Sequence, residues 1–363
     1  MKCSAVAVGR ATALFPPQAR DWQLPGDVAL TPHALRRVSR EAALQPFDRA
    51  AAALNEDWGT ALDGKQVQRW AEATGTRLAR ERDTELREAL CGRPPASPAN
   101  APTLLVIGLD GGRVQMREKD PETGSRWRED KVAAVTTYLA GDGAERKPEP
   151  LVTTYVGTMG KAEAFGRLAR VEAQRRGMDR AGQVLVLGDG GNWIDPVVAR
   201  EFPGAVRILD WAHARGHVHD CARALHGPES PAAARMAERL KGWLYAGETE
   251  RVMRVLEEES RRLGPAREED GPEHPRGVLS ANAGYFRKNA KHMNYPEYRR
   301  RGWPIGSGNV ESGIKQFNKR IKGTEQFWQP EGAEAMLALR GLWLDQDQRW
   351  QRYWLSRPAY KAA

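Results

Sequence analysis

The spacing of hydrophobic residues divides the chain into two helical stretches with a region of alternating strands and helices between them. In the first stretch, apolar positions three and four residues apart predict helices that start at residue 33 and cover 47–54, 64–73 and 77–90. Asp63 is typical of a helix cap, and Gly59 breaks the preceding helix. Two short helices around a glycine turn fit either a helix-turn-helix unit or an ordinary helical hairpin.

Apolar runs in the middle region predict strands that are largely buried. The predicted strands cover 104–109, 113–118, 131–139, 151–156, 184–187 and 206–209, and helices are predicted over 161–176 and 194–201. Asp110-Gly111-Gly112 and Gly188-Asp189-Gly190 follow two of these strands and are predicted to turn the chain there. This alternation indicates an α/β domain.

The alternation stops at Asp210, and the remainder of the chain has the pattern of helices. The predicted helices cover 231–244, 248–263, 279–293, 310–321 and 330–354. The last one carries Trp343, Trp350 and Trp354 on roughly one face, which is typical of core packing. The proline-rich segment 92–103 has little to pack and is predicted to be a linker.

Composition and charge narrow the class of protein. The longest aliphatic run of the 363-residue chain, 104–109, is too short for a membrane span, and the start of the chain shows no secretory signal. Three scattered cysteines exclude a disulfide framework and a four-cysteine zinc site, so a reducing cytoplasm is the expected location. The net charge of +9 suggests a polyanionic partner.

The basic surplus is concentrated near the C-terminus, in a segment that contains a single acid, Glu311. The basic residues there are Arg299, Arg300, Arg301, Lys315, Lys319, Arg320 and Lys322. Glu311 fits either an exposed ion pair with Lys315, one helical turn on, or a metal-binding carboxylate among cations that hold phosphates.

Two further carboxylates, Asp110 and Asp189, follow buried strands and are each followed by glycine. Ligand-binding groups in α/β sheets lie at the carboxyl ends of strands, although a single aspartate there is often only a turn former or helix cap. Together with Glu311 they would suit two Mg²⁺ ions, which activate the attacking oxygen of a phosphodiester reaction and stabilise the leaving one. The neighbouring glycines fit close backbone approach to the metals or simple turn chemistry.

The run HARGHVHDC offers a different metal site. His213 and His217 are four residues apart, as on a metal-binding helix, and His219 and Cys221 follow. No second pair of cysteines or histidines lies nearby at zinc spacing, so a structural or phosphate-contacting role is preferred for His213.

Asp110, Asp189 and Glu311, with a helical insert before the glutamate, resemble the catalytic triad of bacterial insertion-sequence DDE transposases of the ISKra/ISLre type, related to the Mutator-like group. The resemblance is strongest in GWPIGSGNVESGIKQFNKRIKGTEQFWQPEGAEAMLALRGLW, residues 302–343. It extends to Gly188-Asp189-Gly190 and to Asp210-Trp211-Ala212-His213, and covers roughly residues 24–354. Such relatives carry an N-terminal cysteine-rich region, of which only Cys3 is present, so recognition of the transposon end is in doubt.

The resemblance implies a ribonuclease-H-like mixed sheet flanked by helices, interrupted by an all-α insertion and preceded by a helical DNA-binding domain. The expected division is a remnant or truncated segment at 1–32, the helix-turn-helix-like region at 33–91, the linker at 92–103, the catalytic domain at 104–213 and 303–354, and the insertion at 214–302. It also implies that Asp210 and His213 help to arrange the active site. The expected cofactor is two Mg²⁺ per site, with Mn²⁺ as a substitute.

The expected activity is DNA transposition, in which phosphodiesters at insertion-sequence ends are hydrolysed and the freed 3′-OH is joined to target DNA. The expected partners are transposon and target DNA and further copies of the chain, as a dimer or larger assembly at the nucleoid, without a membrane. Two alternatives stay open: a structure-specific nuclease of the same fold, and a catalytically silent transposase-derived DNA-binding protein. The intact carboxylate triad argues against the second alternative.

Overall fold

A single mixed sheet forms the centre of the structure. The computed structural model describes residues 30–139, 141, 147–306, 308–323 and 326–356, with side chains for all of these except 308–311. The strands are β1 (Leu104–Gln115), β2 (Trp127–Leu139), β3 (Glu149–Thr158), β4 (Gln183–Gly188) and β5 (Val206–Leu209). They lie in the order β3-β2-β1-β4-β5, with β2 antiparallel to both β1 and β3, and with β4 parallel to β1 and β5. The predicted mixed sheet flanked by helices is confirmed.

The prediction that Asp110-Gly111-Gly112 turns the chain is wrong, because β1 runs straight through it. The predicted strands 104–109 and 113–118 form one strand that ends at Gln115, and every residue of it pairs with β2. Neither glycine has a positive φ, so both stay within the ladder. The hairpin turn comes later, at Gly124, where φ is 66°.

Helices cover both faces of the sheet. Three of them precede β1: α1 (Pro32–Leu44), α2 (Phe47–Trp58) and α3 (Gly64–Leu90). Between β3 and β4 lies α4 (Ala162–Arg175), and between β4 and β5 lies α5 (Ile194–Glu201). After β5 they are α6 (Trp211–His226), α7 (Pro231–Tyr245), α8 (Thr249–Leu263), α9 (Pro275–Asn289), α10 (Tyr295–Arg300), α11 (Gly308–Ile321), α12 (Pro330–Leu344) and α13 (Arg349–Leu355). Asp63 caps α3 as predicted, since its carboxylate accepts a hydrogen bond from Gln66 N and the Gln66 side chain bonds back to Asp63 N.

One face of the sheet carries two separate helical layers. Side chains on alternate residues of a strand share a face. Leu104 and Val106 pack with α6–α10, whereas Val114, on the same face of β1, and Met116, just beyond it, pack with α1–α3 and α11–α13. Asp110 has the same parity and therefore lies between the two layers. The opposite face of the sheet is covered by α4 and α5.

Two helices differ from their predicted extents. Helices were expected over 64–73 and 77–90, but α3 is continuous, and its Gly75 lies against α12 so closely that a Cβ would be 2.1 Å from the carbonyl oxygen of Ala335. The predicted helix 330–354 is instead divided into α12 and α13. Asp345 ends α12 and its carboxylate accepts a hydrogen bond from Tyr155 N at 2.8 Å, while Gln348 has a φ of 66°.

The segment expected to be a linker has no helix or strand beyond the turn that ends α3, but it is held to the core. Ser97 donates a hydrogen bond to Gln174 O, and Gly182 N donates one to Pro102 O. Among the described residues, none of the helices combines the length and apolar character that crossing a membrane requires.

Candidate active site

Three aspartates occupy equivalent positions on three neighbouring strands. In the parallel register, Leu109 of β1 is paired with Gly188 of β4, and Gly188 is paired with Leu209 of β5. The residue that follows each of them is an aspartate, namely Asp110, Asp189 and Asp210. Adjacent strands are about 4.8 Å apart. This register therefore places the backbone of the three aspartates side by side, at the level where β4 and β5 end.

The turn at Asp189 has the conformation that its glycines permit. Gly190 has a φ of 87°, a region that only glycine enters at little cost. The carboxylate of Asp189 accepts a hydrogen bond from Gly191 N at 2.9 Å. The carboxylate is therefore fixed by the turn that follows it.

The charge of Asp189 acts on the ionisation of the Asp110 carboxyl. Burial raises the pKa of the Asp110 carboxyl, and the charge of Asp189 raises that pKa further, whereas the ammonium of Lys322 and the ring of His213 lower it. Two neighbouring carboxylates, one of them mostly buried, form an environment that a divalent cation would stabilise. The two side chains thus fit the expected metal.

Glu311 lies on α11, but its side chain falls outside the described residues, so its distance from the aspartates stays a prediction. The chain just before α11 does reach the site, since Trp211 N donates a hydrogen bond to Ile305 O at 2.9 Å. Among the side chains that the structure describes, no group of three or more His, Cys, Asp and Glu could hold a metal ion.

Asp210 and His213 form a unit at the start of α6. The buried carboxylate of Asp210 caps this helix, accepting hydrogen bonds from Ala212 N at 2.7 Å and His213 N at 3.3 Å. The same Oδ1 lies 3.5 Å from His213 Nδ1. This contact with Asp210 raises the pKa of His213, and the charges of Asp189 and Asp110 act in the same direction. The unit faces the two candidate metal ligands.

Two other members of the histidine run, His217 and Cys221, lie in structural surroundings. The His217 ring stacks on Tyr285 at a centroid distance of 3.7 Å, and its Nδ1 lies 2.6 Å from Asn282 Oδ1. Cys221 is buried, and burial raises the pKa of its thiol to about 12. A neutral thiol in an apolar core is a poor zinc ligand.

The predicted DNA contacts on and just after α11 occupy different environments. Lys315 and Lys319 are exposed, and Lys322 lies 3.7 Å from the fully buried carboxylate of Asp130. Arg320 is 3% exposed, and its Nε donates a hydrogen bond to Ala42 O at 2.7 Å. This placement of Arg320 does not fit an exposed phosphate contact.

The three arginines that precede α11 already have contacts within the chain; Arg300 and Arg301 are exposed, whereas Arg299 is half-buried. Arg300 and Arg301 both pair with Glu297 on α10, at 2.6 Å each. The guanidinium of Arg299 lies over the ring of Tyr245 at 3.6 Å and donates to Tyr245 O. Binding of DNA at these residues would compete with contacts that exist within the chain.

Asp130 is a residue of the site that the sequence did not reveal. It pairs with Gly112 in the β1–β2 ladder and faces the ammonium of Lys322, which lies so close to Gly112 that a Cβ there would be 1.5 Å from Nζ. Burial raises the pKa of Asp130, and Lys322 lowers it. Finding Asp130 requires the register of the β1–β2 hairpin. The sequence does not give that register because the length of the turn is not known from it.

Comparisons of the chain with known proteins found a structural likeness and no match in sequence. The sequence matches no protein-family model and no curated protein. Among solved structures, the chain is similar to the P element transposase of Drosophila in a strand transfer complex, with a TM-score of 0.39 and 10% sequence identity. The superposition covers 93% of this chain and 97% of that chain. A likeness of this size does not assign a function.

Proposed function

We propose that the chain is a DNA transposase of the DDE type, with Asp110, Asp189 and Glu311 as its catalytic carboxylates. The observation that carries the proposal is the side-by-side placement of Asp110, within β1, and Asp189, directly after β4, where the charge of Asp189 raises the pKa of the Asp110 carboxyl. The strand order β3-β2-β1-β4-β5, antiparallel and then parallel, supports the expected ribonuclease-H-like core.

In the proposed reaction, the carboxylates of Asp110, Asp189 and Glu311 would hold two Mg²⁺ ions, with Mn²⁺ as a substitute. When bound, such ions polarise a phosphodiester and lower the pKa of an attacking hydroxyl. Water first cleaves the P–O bond that leaves a free 3′-OH at the transposon end. That 3′-OH then attacks a target phosphodiester, and the displaced target 3′-oxygen leaves with a proton. Asp210 and His213, at the start of α6, would help to arrange the active site beside these carboxylates.

The partner of the proposed enzyme is DNA, and its backbone would lie along α11. Lys315 and Lys319 are exposed on this helix, one turn apart, and Lys322 follows it beside Asp110. Lysines at this spacing can neutralise successive phosphates. Arg320 is left out of the proposed surface because its guanidinium is buried. Helices α2 and α3 would supply further DNA contacts, and a dimer or larger assembly would bind paired ends.

The decisive test is a divalent-ion-dependent assay with a labelled 3′-OH end, built from the DNA that flanks the gene. The purified chain should cleave and join this DNA in Mg²⁺. Asp189→Asn should abolish both steps, and Asp220→Asn, at an exposed aspartate of α6, should leave both unchanged. Cleavage without joining would identify the nuclease alternative. Binding without cleavage would identify the silent DNA-binding protein.

A further inference from the structure

The segment α6–α10 is in contact with the backbone at both strand ends that precede the candidate aspartates. Tyr285 of α9 donates its hydroxyl hydrogen to Asp189 O at 2.8 Å, directly after β4. Tyr295 of α10 donates in the same way to Leu209 O at 3.2 Å, the last residue of β5 before Asp210. Two tyrosines of one helical layer therefore bond to carbonyl groups at the ends of the neighbouring strands β4 and β5.

A third contact holds the turn after Asp189. Lys288, one turn beyond Tyr285 on α9, donates to Gly190 O at 3.3 Å and to Asn192 Oδ1 at 2.5 Å. Gly190 lies so close to α9 that a Cβ on it would be 2.9 Å from both the Tyr285 ring and the Asn289 amide. The turn thus rests directly on α9.

The tyrosine itself is held from its other side. The His217 ring of α6 stacks on the Tyr285 ring, and Asn282 of α9 bonds to His217 Nδ1. The order of contact is Asn282, His217, Tyr285 and then the backbone of Asp189. These contacts hold the Tyr285 ring from two sides, so its hydroxyl group is oriented toward the Asp189 carbonyl.

We propose that α9 is a positioning element of the active site, in which Tyr285 and Lys288 fix the Asp189–Asn192 turn and thereby aim the Asp189 carboxylate. This inference rests on the proposed function, because it assigns a role to residues around the proposed metal ligand. It gives the helical segment a part in the chemistry beyond covering the sheet. Mutation of a residue that holds a metal ligand in place typically lowers metal affinity or activity by about 10–100-fold.

The test uses the full chain with Tyr285→Phe, Lys288→Met and Lys288→Arg, beside Tyr138→Phe as the matched control. Tyr138 is a buried tyrosine of the same core, and among the described residues no hydrogen bond of its hydroxyl is seen. The measurements are the single-turnover cleavage rate, the Mg²⁺ concentration at half-maximal rate, DNA affinity in Ca²⁺, and Tb³⁺ luminescence sensitised by tryptophan. Trp193 lies 3.2 Å from the Cβ position of Gly191 and is a suitable sensitiser.

Tyr285→Phe and Lys288→Met should each lower the cleavage rate and weaken Mg²⁺ and Tb³⁺ binding by about 10-fold, with DNA affinity unchanged. Lys288→Arg should keep most of the wild-type cleavage rate and metal affinity, since arginine is also a cationic donor. Lys288 is exposed, so its variants keep the test valid if Tyr285→Phe folds poorly.

Two failures can be told apart. If Asp189→Asn abolishes cleavage while Tyr285→Phe and Lys288→Met behave like Tyr138→Phe in every measurement, the positioning role is wrong and the proposed function stands. If Asp189→Asn itself retains cleavage, the proposed function is wrong and the positioning role falls with it. A loss of DNA affinity parallel to the loss of rate would indicate a general structural role for α9 and would also overturn the inference.

Discussion

Removing the charge of Glu311 tests whether this residue acts in the proposed active site or is an ordinary surface glutamate. Glu311→Gln keeps shape and hydrogen-bonding capacity but removes the charge of a proposed metal ligand, so cleavage and strand transfer should be abolished. DNA affinity should stay equal or rise slightly, because repulsion between the carboxylate and phosphates disappears. Cleavage and gel-shift affinity are measured on one preparation, in Mg²⁺ and in Ca²⁺.

The matched control for this variant is Glu331→Gln, at an exposed glutamate in the first turn of α12. It should keep full activity. If Glu311 only pairs with Lys315 on an exposed helix, its substitution costs at most a few tenths of a kcal/mol and activity survives. Retained cleavage by Glu311→Gln would therefore remove this residue from the active site.

The His213–Asp210 contact should make stability depend on pH. Since the folded-state pKa of His213 is raised above the ordinary value of 6.5, its contribution is complete below that value and is lost as pH rises through the folded-state pKa. His213→Gln should therefore lower the free energy of unfolding more at pH 6 than at pH 8.5. The side chain is 41% exposed, so the difference should be at most about 1 kcal/mol.

Urea unfolding of both proteins at the two pH values measures this difference. His226→Gln serves as the control, at a histidine in the last turn of α6. A difference between wild type and His213→Gln that is equal at both pH values, or larger at pH 8.5, would contradict the assigned contact.

At the scale of elements, α11 presents lysine and arginine side chains to different surroundings, and neighbouring substitutions should separate binding from stability. Lys319→Ala should reduce the dependence of log affinity for DNA on log salt by about 0.9, the contribution of one phosphate contact. Arg320→Met should leave that slope unchanged and destabilise the fold by about 2–3 kcal/mol, because a charged donor loses its bonds to Ala42 O and Gln326 Oε1.

Filter binding at several salt concentrations measures the slope, and thermal unfolding measures stability. Lys161→Ala, at an exposed lysine that precedes α4, is the control and should change neither. An unchanged slope for Lys319→Ala would make Lys319 ordinary solvated surface. A reduced slope for Arg320→Met would mean that its guanidinium leaves the core to reach DNA.

The sequence predicts elements well where local chemistry decides them and fails where tertiary contacts do. Helix α5 has the predicted bounds, since its apolar period and flanking turns are local. Helix α3 continues through Gly75 because α12 packs against that glycine, and no local signal announces such a contact. β1 continues past Asp110 because β2 is long enough to pair with it, which again depends on a distant segment.

The candidate site follows the same division. Asp110 and Asp189 could be selected from sequence because each follows a buried apolar run, and the sheet register then places them side by side. Asp130 and Tyr285 could not, since one depends on hairpin register and the other on how α9 packs over the β4 end. Arg320 was expected on the surface because a basic cluster does not show which of its members is buried.

At the scale of the whole molecule, the N-terminal helices share a core with the C-terminal ones. Leu54 and Val67 pack in the same cluster as Met336 and Trp354. Arg340 of α12 donates hydrogen bonds both to Ala43 O in the last turn of α1 and to Gln316 O in α11, each at 2.7 Å. Cations at a helix C-terminus stabilise the carbonyl groups that have no partner within the helix.

This shared core makes a prediction about cleavage of the expected linker. A protease site introduced at residues 93–96, before the part of the segment that bonds to the core, should be cut without separating the fragments. Helices α1–α3 would otherwise expose the buried faces of α12 and α13, and apolar area on that scale is costly in water. The nicked protein should therefore elute from gel filtration at the volume of the intact chain and unfold in a single thermal transition. The same cut in Arg340→Met should lower the temperature of that transition further than the variant does in the intact chain, since the fragments are no longer tethered. Two separately eluting, folded fragments would show that residues 33–91 form an independent domain.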